Sequence, residues 1–178
     1  MTVIGGQPGA FGLAVAIAVA AAPAFAVEPL SRNCPPEGAI RISAMTPPGL
    51  TILPSQFGPE ETMDRLAAAV TERGLSILAR IDHAAAAAQV GLELRPTALL
   101  IFGNARAGTP LMQLQQTVGI DLPLKALVWQ DQGGRTWVAG NDPEWIAERH
   151  GLDRGGKAVE AMREGLAALL RLGAGSTP

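Results

Sequence analysis

Two spacings of apolar residues alternate along the chain from residue 49 onward, and they predict ten elements in the order β-α-β-α-β-α-β-β-α-α. Leu50 to Phe57 reads as a strand, with Pro54 marking an edge position. Pro59 stands where a first helical residue belongs, followed by Glu60 and Glu61. Met63, Leu66, Ala67 and Val70 then recur at helical spacing until Gly74 ends the helix. Leu75, Ile77, Ala79 and Ile81 alternate, which predicts a strand over Leu75 to Ile81. Asp82 is placed to cap a short Ala-rich helix, His83 to Val90, closed by Gly91. Thr97 to Phe102 is a continuous apolar run, the signature of a buried strand. Thr109-Pro110 opens the next predicted helix, with Leu111, Leu114 and Val118 inward and Gly119 at its end.

Leu124 to Gln130 and Arg135 to Ala139 flank Asp131-Gln132-Gly133-Gly134, a hairpin signal. Asp142-Pro143 starts a helix that ends near His150-Gly151. Lys157 to Leu172 is a last amphipathic helix, with Val159, Met162, Leu166, Leu169 and Leu170 on one stripe. The hairpin forbids a wholly parallel sheet. The expected fold is therefore α+β in two layers: a mixed sheet of about five strands with helices packed on one face. That domain covers residues 49–172, and residues 173–178 read as a frayed tail.

The first 48 residues follow neither period. Phe11 to Ala22 is an uncharged apolar run of 12 residues, too short to span a bilayer core of about 30 Å. It fits the core of a secretory signal, and Ala24-Phe25-Ala26 gives the small-residue cleavage pattern, so cleavage after Ala26 is expected. No Lys or Arg precedes that run. The expected location is periplasmic or secreted, with no membrane span after cleavage. Residues 27–48 hold five prolines and read as a linker. Cys34, the single cysteine, lies there; it excludes a disulfide framework within the chain and is expected to be free.

Composition narrows the function classes. A net charge of −2 leaves no electrostatic footprint for nucleic acid. Two histidines and one cysteine give no basis for a metal site. Neither a dinucleotide-binding nor a Walker-type glycine loop is present, so no cofactor is expected.

Several short blocks carry a resemblance. They are Ile81-Asp82-His83-Ala84, Leu94-Arg95-Pro96, Phe102-Gly103-Asn104, Gly108-Thr109-Pro110-Leu111-Met112, Asp121-Leu122-Pro123-Leu124-Lys125, Val128-Trp129 and Asn141-Asp142-Pro143. In that order and spacing the chain resembles the family catalogued as domain of unknown function 302, from about Thr51 to Leu152. The resemblance implies a small α+β domain, often a homodimer, and no established reaction. Two positions depart from the family pattern: Ala105 stands where Pro is frequent, and Gly140 where Tyr is frequent.

Four residues are candidates for ligand contact, and each has a plainer alternative. Asp82 either helps form a site or simply caps its helix. His83, in the first helical turn, is favoured as neutral imidazole, suited to acid–base work, or it fills the turn. Asn104 offers both a donor and an acceptor to a ligand, or bonds its own backbone in a turn. Lys125, one of two lysines, is an amine base or anion contact, or a strand-edge charge. Trp129, Trp137 and Trp145 form either a stacking surface or core and interface packing. Asp142 reads as a helix cap and His150 as a cation at a helix C-terminus. The expected function is an exported domain that binds a small ligand or a protein partner as a homodimer. The alternative is a periplasmic enzyme with His83 and Lys125 as an acid–base pair.

Overall fold

Alternating and helical stripes meet in one apolar layer. The computed structural model describes residues 47–176, so the expected signal sequence, most of the expected linker and Cys34 lie outside the described residues. The elements follow in the predicted order: β1 Leu50–Pro54, α1 Pro59–Glu72, β2 Ser76–Asp82, α2 His83–Gln89, β3 Thr97–Gly103, α3 Ala105–Leu114, a 3-10 helix Gln116–Ile120, β4 Leu124–Gln130, β5 Thr136–Asn141, α4 Pro143–Arg149 and α5 Lys157–Ala174. The domain is α+β. Met63, Leu66 and Val70 of α1 and Leu166, Leus 169 and 170 of α5 pack on Leu100, Phe102, Ala126, Val128 and Val138 of the sheet. Burying each of these side chains other than Ala126 contributes about 1.5–3 kcal/mol.

The strand order is β1-β5-β4-β3-β2. Every pairing is antiparallel, which corrects the expected mixed sheet. The β1-α1-β2 unit is the reason the two differ. Its strands do run in the same direction, but three strands separate them, so they never pair. From β2 onward each strand pairs with the next one in the chain, β2 with β3, β3 with β4 and β4 with β5, so each connection reverses the direction and no parallel pair arises.

A second, smaller cluster joins α3, the 3-10 helix, α4 and the first half of α5 through Leu111, Val118, Ile146, Ala147 and Val159. Three local differences from the sequence reading matter. The third helix starts at Ala105, not Thr109, and holds Pro110 inside it. Leu114, expected inward, is its last residue and is 74% exposed, because the extended backbone of Gln115 ends the helix there and turns the chain away. The last helix runs to Ala174, with Gly173 and Ala174 buried, so the domain extends past residue 172. Gly173 is needed there: a Cβ on it would sit 3.1 Å from the Leu66 Cβ where α5 crosses α1.

Gly140 explains one departure from the family pattern. A Cβ at that position would come within 2.9 Å of Leu166 Cδ1. Leu166 occupies the space a larger residue would take, so the two positions are fitted to one another.

Candidate functional site

The end of the sheet where β3 leaves and β4 enters holds a cavity of about 330 Å³. Its walls are Leu75, Ser76 and Leu78 from the β2 side, Phe102 to Ala105 at the β3–α3 junction, Ala107, Gly108 and Met112 on α3, Leu122 to Leu124, and Met162 on α5. The lining is apolar except for Ser76 and Asn104. Its volume lies at the lower end of the range typical of small-ligand sites. Three of the sequence blocks meet here: Phe102-Gly103-Asn104, Gly108 to Met112, and Asp121 to Lys125. Gly103 belongs to this close packing, since a Cβ on it would lie 3.3 Å from the Pro123 Cβ.

Asn104 is exposed at the rim and caps α3: its Oδ1 accepts from the Ala107 N–H at 2.7 Å. The cap is why the helix begins five residues before the proline. The side-chain amide group of Asn104 faces no acceptor among the described residues, which leaves two donors for a ligand or water.

The other predicted residues lie elsewhere. Asp82 Oδ1 accepts from the Ala85 N–H at 2.9 Å, so it caps α2. His83 is exposed, with no side-chain partner among the described residues. Lys125 is half-buried and points to the sheet face opposite α1 and α5, because its neighbour Ala126 faces the core. Asp82 pairs with Ala98 and Lys125 with Ile101. Three residues along β3 and two strand spacings therefore separate them, roughly 14 Å. Within one chain that is beyond hydrogen-bond reach, and Asn104 lies at the opposite end of β3 from Asp82.

The tryptophans divide. Trp129 and Trp137 stack across the hairpin with ring centroids 6.4 Å apart. Trp145 packs with the smaller cluster, under the Arg149 guanidinium at 5.6 Å. In the hairpin turn, Asp131 accepts from Trp137 Nε1–H at 2.8 Å and from the Arg135 N–H at 2.9 Å. These bonds, the Trp137 one foremost, hold its carboxyl below the ordinary value of 3.8.

The best-built polar cluster was not singled out by the sequence. Asp121 is buried directly before Leu122 and Pro123 of the cavity wall. Its Oδ2 lies 2.7 Å from His150 Nε2, and its two oxygens receive Arg149 Nη1 at 3.0 and 3.2 Å. His150 Nδ1 lies 2.9 Å from Thr117 Oγ1. The side chains of His150 and Asp121 are 7% and 8% exposed. One carboxylate thus pins the loop that forms the cavity floor to the C-terminus of α4. A charged residue between Ile120 and Leu122 was the available signal, since a carboxylate set among apolar neighbours requires partners when buried. Among the described residues, no group of three or more His, Cys, Asp or Glu side chains gathers to hold a metal.

This arrangement sits within residues 51–170, the span that matches the family described as Domain of unknown function DUF302. The chain belongs to that family. The crystal structure of a DUF302 protein from Bacillus stearothermophilus has the same fold, with a TM-score of 0.63 at 21% identity, over 71% of this chain and 98% of that one. Curated relatives are similar over 128 residues at 42% identity. One is "Fluoride-specific ion channel FluC 1" of Brucella suis biovar 1 (strain 1330), of which 50% is covered. Another is "Fluoride-specific ion channel FluC 1" of Brucella abortus biovar 1 (strain 9-941), of which 47% is covered. Each match takes in 71% of this chain. The chain spans about half the length of the curated relatives it matches. The DUF302 fold brings the cavity and the Asp121 cluster side by side at one end of its sheet.

Proposed function

We propose that this DUF302 domain binds a small, mainly apolar molecule with one polar group in the cavity beside Asn104. The observation that carries the reading is the cavity itself, with about 330 Å³ of apolar space and polar groups only at Ser76 and Asn104. The apolar body of the ligand supplies affinity and the Asn104 amide fixes its orientation. Met112 and Met162 in the walls are unbranched and adapt to different ligand shapes.

The domain acts outside the cytoplasm, released by cleavage after Ala26, and works as a homodimer. Support for pairing comes from the outer edge of β2, where Ile77, Leu78 and Ile81 are 42%, 60% and 37% exposed. An unpaired apolar edge strand is a template for a second strand. Leu78 also lines the cavity, so a partner on this edge would close the mouth. Among the described residues no helix is long and apolar enough to cross a membrane, and ion conduction is no part of this reading.

The test is titration of the full chain with N-phenyl-1-naphthylamine, an apolar fluorescent probe. Saturable binding of one probe per chain, lost in Ser76→Phe, is the expected result. Ser76 is exposed at the rim, so the larger ring blocks the cavity without disturbing the core. Equal fluorescence from the two proteins overturns the reading. Native mass spectrometry of the same material reads the cleavage site and the subunit number.

A further inference from the structure

The Asp121 carboxylate carries no proton to donate, so it fixes the tautomer of His150: Nε2 carries the hydrogen and donates it to Asp121. Nδ1 is then the acceptor, and the Thr117 hydroxyl 2.9 Å away is its donor. A hydroxyl bonded to an imidazole, itself oriented by a buried carboxylate, is the arrangement that activates an oxygen nucleophile. Burial supports it from both ends. Asp121 and His150 are shielded from water, while Thr117 belongs to an exposed residue of the 3-10 helix. Arg149 Nη1 donates to both oxygens of the Asp121 carboxylate and holds it in place.

We propose that Thr117 is an acylatable nucleophile, with His150 as its general base and Asp121 as the positioning residue. The substrate class is an activated carboxylic ester. Thr117 Oγ attacks the acyl carbon as its proton passes to His150 Nδ1. The Oγ–C bond forms, the bond from the acyl carbon to the leaving oxygen breaks, and that oxygen takes the proton from His150. Water then attacks the acyl-threonine and gives its proton to His150. The bond between the acyl carbon and Thr117 Oγ breaks, Oγ takes the proton back from His150 to restore the hydroxyl, and the carboxylic acid departs. None of the three residues lines the cavity, so the proposal stands apart from ligand binding there.

The experiment treats the full chain with p-nitrophenyl acetate and follows both p-nitrophenolate release and acetyl transfer, located by peptide mass spectrometry. The background is a His83→Ala protein, which removes the exposed imidazole. Expected is nitrophenolate release, with any retained acetyl group on Thr117. Thr117→Val should lower that release by about a hundredfold. Thr117→Ser should restore it. Thr117→Val removes one exposed hydroxyl, and a melting curve matched to the parent shows that the fold is intact. Three results overturn the proposal: acetylation confined to lysines or the N-terminus, release that Thr117→Val leaves unchanged, or the absence of both release and adduct.

Discussion

The two histidines of this chain sit in opposite circumstances. His83 opens α2, exposed, beside a carboxylate that only caps the helix. His150 closes α4, with a side chain 7% exposed, bonded through both ring nitrogens. Both stand beside a helix end, His83 at the positive end of its dipole and His150 at the negative end. What separates them is a partner distant in sequence. Asp121 lies 29 residues before His150 and reaches it only because the 3-10 helix folds against α4. Sequence neighbours made His83 look chemical; tertiary neighbours make His150 so.

Substitutions test the contrast. His150→Ala should have the largest effect. It removes one partner of a buried carboxylate, at a cost of about 2–3 kcal/mol, and thermal unfolding should show a fall of about 10 °C. An unchanged melting temperature would put the two histidines on the same footing. Asp82→Ala should cost about 1 kcal/mol through loss of the α2 cap, measured by urea unfolding. Asp131 stands between the extremes, hydrogen-bonded like Asp121 but only half-buried. Its folded pKa is lowered, so its contribution is complete above the unfolded value and lost as pH falls through the folded one. Asp131→Asn should therefore flatten the decline in stability below about pH 4, read from melting curves across acid pH. His83→Ala should change stability by less than about 0.5 kcal/mol. It should also leave probe binding in the cavity unaltered, and a clear loss of binding would return His83 to the site.

Much of the fold was legible because it is local. Proline before Glu60 and Glu61, Gly74 and Gly91 after their helices, and the Asp131 to Gly134 turn each act over a few residues; the separate 3-10 helix after α3 left no such signal. Pairing was less legible. That β1 joins β5 depends on α1 crossing the whole sheet, which no spacing records. The polarity of Asn104 points to a site residue, while Pro110, with its preference for a first helical turn, hides its capping role and puts the expected helix start too late. Asp121 was visible only as one charge in an apolar stretch, because its partners come from another helix.

The pairing of β1 with β5 also orders events in time. Leu50 lies opposite Asn141, 91 positions later in the chain. The strands β2 to β5 can assemble as each follows its neighbour, but the first strand must wait, unpaired, until the last has been made. α5, which packs across α1, comes later still. A ribosome delivering this chain N-terminus first therefore releases a domain that cannot close until nearly all of it has emerged, and whatever handles the nascent chain meets it with its first strand still open.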